Sequence, residues 1–305
     1  MEATDPLPKP RNRKTRKEEK PALTVGLAYN LKKGIESEIE DIEAEYDTIE
    51  TVTAIQDALE AMSLKVVLLE ADSGIFEKLK ITKPDIVFNI AEGIFGRGRE
   101  AQVPAILNFL KIPYTGSDET TLCMALDKAL TKRILTTYRI KTPKYQLFHG
   151  SSIKIGSGLK FPLIVKPNAE GSSKGISDTA VVRDARELET LVGRNVRMYG
   201  QSMLVEEFVC GREFTVAVIG NGSDTSVFPP MEIVYRNGSE KFNIYSYGVK
   251  KNYKQYIDYV CPASLEKALE KKMIRTARKI YEVMECKDFS RIDFRLSEDG
   301  EIHFI

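Results

Sequence analysis

Histidine and cysteine are scarce in this 305-residue sequence. It has two histidines, His149 and His303, and four cysteines, Cys123, Cys210, Cys261 and Cys286, scattered with no CxxC spacing. That argues against a zinc site and against a disulfide scaffold, and points to reduced, buried thiols in a cytoplasmic protein. No apolar run approaches the roughly 18 residues that a membrane span needs, so no membrane is implied. The first 22 residues, rich in Lys, Arg and Pro, have no apolar core segment of the secretory kind and read as a disordered, solvated tail. An excess of one charge is missing too. The 45 Lys and Arg residues nearly balance 44 Asp and Glu, for a net charge of +1. No global field exists to steer a polyanion, and no nucleic-acid partner is implied.

What is present is ordinary soluble-protein material, with 42% hydrophobic and 29% charged residues. The length suits two or three structural units. Structure is expected from Leu23. Residues 23–29, 64–71 and 85–93 read as buried strands, and 113–117 as a further strand-like run. A strongly acidic stretch, Glu36 to Glu50, follows the first strand. Helices are expected from Thr51, with Val52, Ile55, Leu59 and Met62 at helical spacing, and over 76–83, closed before Pro84, and 99–112. Strands alternating with helices imply a parallel sheet, so 23–120 looks like a Rossmann-like α/β unit. Residues 121–140 read as one amphipathic helix. Strands then dominate (145–150, 161–167, 179–182, 202–209, 212–220 and 227–235), interrupted by a helix over 184–199. This points to an α+β region with antiparallel sheet. A long helix over 263–284 precedes a hairpin, 289–305, turned at Glu298-Asp299-Gly300.

Three segments carry chemistry. In FPLIVKPNAEGSSKGIS, a strand ends at Lys166-Pro167 and opens into a loop with Gly171, Ser172, Ser173 and Gly175. Small residues let backbone N–H groups approach phosphate oxygens, the serine hydroxyls add donors, and Lys166 supplies a point charge. The pattern is neither a Walker A loop nor GxGxxG. Taken alone it is equally an ordinary glycine–serine surface loop. In LVEEFVCGREFTV, Glu206 with the Phe208–Val209 backbone has the donors and acceptors an adenine needs, and Glu213 can accept from ribose hydroxyls. A solvated edge strand accounts for that segment at least as well. In SRIDFR, alternation puts Arg291 and Asp293 on one face of a strand and Ile292 and Phe294 on the other. Asp293 suits magnesium and Arg291 a phosphate or oxyanion. A surface ion pair of little energy fits equally.

Together these segments, in this order, resemble the D-alanine–D-alanine ligase family of the ATP-grasp superfamily, from about Leu23 to Ile305. VKPNAEGSSKGIS is similar to the family's VKP-x-x-EGSS-x-G loop, IPYTGSD with MALDK to its interdomain segment, LVEEFVCGREFTV to its hinge strand and SRIDFR to its metal-binding strand. The resemblance implies a Rossmann-like pre-ATP-grasp unit (23–120) followed by a two-part ATP-grasp domain, 121–210 and 211–305, with mixed and antiparallel sheets. It implies that Lys128 and Lys166 contact ATP phosphates, with Glu170, Ser172 and Ser173 in the closing loop. Glu206, Glu207, Phe208 and Val209 would hold adenine, and Glu213 the ribose. Ser172 would stand near the first substrate, Lys250 would arrive on a mobile loop, Arg291 would stabilise the tetrahedral intermediate, and Asp293 would bind magnesium or manganese. The implied reaction joins two D-alanines for peptidoglycan synthesis. One carboxylate is phosphorylated by ATP, an amine attacks the acyl phosphate, and phosphate leaves. A homodimer through the N-terminal unit is a further expectation of the resemblance.

The sequence departs from the family pattern in places. It stops at HFI, ahead of the family's Glu-x-Asn metal pair, which reads as truncation of a longer protein or as a form that does not catalyse efficiently. Glu92-Gly93 stands where the family has His-Gly, and Lys251 where it usually has tyrosine. The acidic grip on the first amino group has no clean match, with Glu45 and Asp47 the nearest candidates and Glu50 beside them. These changes surround the amino-acid pockets, not the ATP site. A ligase for other amino acids or peptides and a nucleotide-binding, non-catalytic relative are the rival readings. A Rossmann dehydrogenase is disfavoured because no GxGxxG follows the first strand.

Overall fold

Strand β1 (Thr24–Tyr29) forms because its β-branched and small residues are buried almost continuously, as a central parallel strand requires. The computed structural model describes residues 23–37, 39–150, 154–156, 158–176, 180–236 and 243–305. The N-terminal tail lies outside them. After β1 come α1 (Ile49–Ala61), β2 (Lys65–Glu70), α2 (Ile75–Thr82) and β3 (Ile86–Asn89). β1 lies between β2 and β3, parallel to both. Residues 113–117 contribute only an isolated bridge, Tyr114 to Val87. Met62, read at the helical spacing of α1, caps its C-terminus and is exposed.

A 3-10 turn, Arg99–Ala101, leads into α3 (Gln102–Leu110). Pro104 is tolerated there because it falls in the first turn. The single helix expected over 121–140 is two, α4 (Glu119–Leu126) and α5 (Lys128–Thr137). The break is Asp127, extended at φ −82° and ψ 97°. Its side chain accepts from the Leu130 N–H at 2.8 Å, and an N-cap of this kind starts a new helix instead of continuing the old one.

The next strands are β4 (Tyr145–Phe148), β5 (Leu163–Pro167) and β6 (Val181–Val182), then α6 (Ala185–Tyr199) and β7 (Met203–Glu207). They form an antiparallel sheet in the order β4-β7-β5-β6. α6 covers one face through Leu188, Leu191 and Val192 against Leu163, Val165, Met203 and Val205. The other face keeps Lys166, Leu204 and Glu206, the alternate residues.

The last part holds β8 (Gly211–Ile219), β9 (Ser226–Val227), β10 (Met231–Tyr235), α7 (Tyr247–Lys251), α8 (Tyr253–Tyr256), β11 (Ile257–Val260), α9 (Lys267–Val283), β12 (Phe289–Ser297) and β13 (Ile302–Phe304). Its antiparallel sheet runs β11-β10-β8-β12-β13, with β9 on β8. α9 buries Met273, Ala277, Ile280 and Tyr281 against Phe214, Val216, Val218, Ile292 and Phe294. The alternation read in SRIDFR therefore holds, leaving Arg291, Asp293 and Arg295 on the opposite face. The short helices α7 and α8 and the edge strand β11 fall in a stretch read only as a mobile loop. No helix among the described residues is long and apolar enough to cross a membrane.

Candidate active site

β5 delivers Lys166 to a buried position and ends there. The loop that follows turns sharply: Ser172, Ser173 and Gly175 all have positive φ, at 46°, 60° and 74°. Gly175 is required, because a Cβ there would stand 2.3 Å from the Pro167 ring. Ser172 is exposed, and the Ser173 hydroxyl donates to the Tyr245 carbonyl at 2.8 Å. The N-terminus of α5 packs on this loop. The Lys128 and Ala129 N–H groups donate to the Asn168 carbonyl and side chain, each at 3.0 Å. The Lys128 ammonium donates to the Glu170 carbonyl. Burial pushes Lys128 down to about 8, and neighbouring Lys166 pushes the same way.

One turn along α5 lies Lys132, which the sequence reading missed. It is fully buried, with its ammonium 2.8 Å from Glu206. Lys166 pairs with the other Glu206 oxygen. Burial alone would raise the Glu206 carboxyl, but the two lysines override it and hold the group down at about 2. The signal for Lys132 was present in its i, i+4 spacing from Lys128. The Glu206 carboxylate is thus occupied by lysines, and the Phe208 N–H donates to the Pro162 carbonyl at 2.9 Å. Glu206 and the Phe208 N–H, both expected at the adenine, carry these bonds in the structure. Glu207 points to the other face, where it accepts from the Lys160 N–H at 3.0 Å. Val209 follows, half-buried.

Facing this sheet, β8 and β12 set Glu213 opposite Arg295 and Thr215 opposite Asp293. Glu213 is buried. It accepts from the Tyr235 hydroxyl at 3.1 Å and from Arg295 at 3.3 Å. Burial pushes its carboxyl up, with Arg295 opposing. The Arg295 guanidinium, also missed from sequence, lies 4.5 Å from the Phe208 ring centre and donates to the Asn243 carbonyl at 3.0 Å. Arg291 grips Asp293 through two bonds, 3.1 and 3.0 Å. Lys250, on α7, stands 5.1 Å from the Tyr245 ring centre. Burial, reinforced by Arg291, pushes Lys250 down to about 8.

The acidic stretch after β1 closes over the loop from the N-terminal unit. Glu45 accepts from the Gly171 N–H and takes Arg99 at 2.6 and 2.5 Å. Asp41 accepts from the Gly175 N–H at 2.6 Å. Asp47 is instead held through its backbone to Asn30 and Lys32, and burial pushes its carboxyl up. Glu92 and Glu100 place carboxylate oxygens within 4.8 Å of Glu45. Burial first, then their mutual repulsion and Glu45, push Glu92 up to about 8; burial first, with Glu45 adding to it, pushes Glu100 up to about 7. Beside them opens a cleft of about 970 Å³, lined in part by Tyr46, Arg99, Glu170, Lys174 and Tyr199.

The structure therefore gathers Lys128, Lys166, Glu170, Ser172, Ser173 and Glu45 around one loop, and Arg291, Asp293 and Lys250 on the facing sheet and helix. Asp293 offers one carboxylate, and the buried Thr215 hydroxyl opposite it has no hydrogen-bond partner among the described residues. Magnesium is commonly held by one or two carboxylates together with nucleotide phosphates, so these oxygens fit it as a partial ligand set.

Residues 138–305 match the family described as D-ala D-ala ligase C-terminus. The D-alanine–D-alanine ligase of Aquifex aeolicus is 32% identical over 261 residues, 85% of this chain and 83% of that protein. An uncharacterized protein of Sinorhizobium fredii is 30% identical over 252 residues, 80% of this chain and 73% of that protein. Among solved structures, the D-alanine–D-alanine ligase of Bacillus anthracis complexed with ATP aligns with a TM-score of 0.71 at 20% identity, covering 93% of this chain and 85% of that one. The VanG D-Ala:D-Ser ligase of Enterococcus faecalis aligns at 0.70 and 20% identity, covering 93% and 89%. The fold is that of these ATP-grasp structures, and the chain belongs to the D-alanine–D-alanine ligase family.

Proposed function

We propose that this protein is an ATP-dependent ligase that joins two D-alanine molecules through an acyl-phosphate intermediate, for peptidoglycan precursor synthesis in the cytoplasm. The carrying observation is that one loop, 168–176, leaves the strand at Lys166, packs on the N-terminus of α5 at Lys128, and reaches through Ser173 to Tyr245, beside Lys250.

Lys128 and Lys166 hold the ATP phosphates, and the loop N–H groups add donors around the γ-phosphate. Lys166 is positioned for this by Glu206, which Lys132 shares. The first substrate's ammonium meets Glu45, which sets its carboxylate toward the γ-phosphate. Attack by that carboxylate transfers the phosphoryl group and releases ADP. The amine of the second D-alanine attacks the acyl carbon, the tetrahedral oxyanion develops beside Arg291, and phosphate departs. Lys250 brings a further positive charge as α7 closes, and the contact of Ser173 with Tyr245 joins the two covering segments that exclude water. Asp293 would hold part of the ligand set of a magnesium ion, which would supply charge neutralisation at the phosphates.

Phosphate release from ATP should depend on D-alanine and yield D-alanyl-D-alanine by mass spectrometry. Release that is indifferent to D-alanine, with no dipeptide, rejects the substrate assignment. A second reading, a ligase for another amino acid or peptide, is favoured by Glu92 and Glu100 crowding Glu45 where the family pattern has His-Gly. The same assay run with L-alanine and mixed precursors separates the two.

A further inference from the structure

We propose that Arg99 is a positioning residue that couples occupancy of the first amino-acid pocket at Glu45 to the phosphate loop at Ala169–Gly171. The inference rests on the reading that Glu45 meets the first substrate. The geometry is a closed ring drawn from three separate segments. Arg99 is buried on the 3-10 turn before α3. Its Nη2 contacts both Glu45 oxygens, at 2.6 and 2.5 Å, and lies 3.1 Å from a Glu170 oxygen. Its Nη1 donates to the Ala169 carbonyl at 2.8 Å. Glu45 closes the ring by accepting from the Gly171 N–H.

The backbone is shaped to admit this ring. Gly93 has φ +75°, and a Cβ there would stand 2.1 Å from the Arg99 carbonyl oxygen. A Cβ on Gly171 would stand 2.7 Å from a Glu45 oxygen. Gly93 thus lets its segment pass against the turn that carries Arg99, and Gly171 lets the loop approach Glu45. A guanidinium is the group that reaches a carboxylate, a carbonyl and a second carboxylate at once, because its donors are fixed in a planar fork; an ammonium is a point charge with no such fork. An arriving substrate ammonium competes with Arg99 and with the Gly171 N–H for the Glu45 oxygens. Arg99 keeps its hold on Ala169 and Glu170, so the exchange at Glu45 alters the tether of the loop that covers the nucleotide.

The test compares wild type with Arg99→Lys and Arg99→Ala. In steady-state assays Arg99→Lys should raise the D-alanine KM by ~10-fold, the scale of a small misplacement, while ATP affinity changes less than about twofold. Added guanidinium ion should restore Arg99→Ala in a saturable way. Equal changes in both substrates' KM, no change in either, or failure of guanidinium to restore activity overturns the coupling. Hydrogen exchange over 169–175 provides a readout that does not need turnover. Basal exchange at Gly171 should rise in Arg99→Lys, and added D-alanine should slow it in wild type only. Unchanged Gly171 exchange in Arg99→Lys overturns the proposal even if the preferred amino acid proves not to be D-alanine. Faster basal exchange without any D-alanine response upholds the tether and rejects the D-alanine assignment instead.

Discussion

Lys132 Nζ lies 2.8 Å from a Glu206 oxygen, with the two side chains only 2% and 3% exposed. Lys166 completes the triad on the other oxygen. The proposed nucleotide site is thus built on a buried ionic group. Removing the shared Glu206 carboxylate leaves two buried ammonium groups without compensation, and breaking a buried pair in this way costs about 3 kcal/mol or more. Glu206→Leu should lower stability by that order at pH 7 in urea titrations, and unchanged stability would remove the triad from the account.

The pH dependence of the same triad has a definite sign. The Glu206 carboxyl lies at about 2, against an ordinary value of 4.5. Its stabilisation is complete above the ordinary value and is lost as pH falls from there toward about 2. Glu206→Gln should be less stable than wild type at pH 7 and show a flatter loss of stability between those limits. The check is a series of denaturant titrations across that acid range.

In the proposed function, Lys166 supplies a charge that holds the ATP phosphates. Saturating ATP stabilises a binding protein by mass action, about 2.7 kcal/mol at a hundredfold excess over Kd. Wild type should melt at a higher temperature with ATP, and Lys166→Ala should show no such shift. Equal protection in the variant would place the phosphate site elsewhere.

Lys250 carries its charge below about 8, where burial and Arg291 have moved it. The rate of phosphate release should therefore fall as pH rises through about 8. Lys250→Arg keeps its charge at every accessible pH and should move that limb upward by about a unit or more. A high-pH limb unmoved by the substitution assigns it to another group.

Two glycines separate loop function from general backbone strain. Gly175→Ala meets Pro167 at 2.3 Å and needs φ +74°, so it should both destabilise the protein and abolish ATP protection. Gly200→Ala, at φ +61° in open space after α6, should cost only ~1 kcal/mol and leave ATP protection intact. Thermal shift with and without ATP reads both.

The strand and helix order was largely legible because buried strands carry β-branched runs and α6 and α9 carry strong helical periodicity. The break at Asp127 was not, because a continuous amphipathic pattern hides a side chain that caps a new helix. Lys128, Lys166, Arg291 and Asp293 were singled out through motif order. Lys132 and Arg295 were missed because each lies one helical turn or one strand repeat beyond a motif residue, and their partners Glu206 and Glu213 are distant in sequence. Arg99 left no signal of its own, since its ring closes only when three remote segments fold together. The two lysines brought against Glu206 were not legible, because sequence shows a strand's acidic residue but not its distant partners.

The most direct test follows oxygen from the first substrate. With D-alanine labelled with ¹⁸O in its carboxylate, phosphorylation of that carboxylate and later loss of phosphate must carry one labelled oxygen into the released phosphate. Mass spectrometry of the phosphate should show that transfer, together with D-alanyl-D-alanine. Dipeptide formed with unlabelled phosphate would contradict the acyl-phosphate route, and labelled phosphate obtained only with a different amino acid would contradict D-alanine as the substrate.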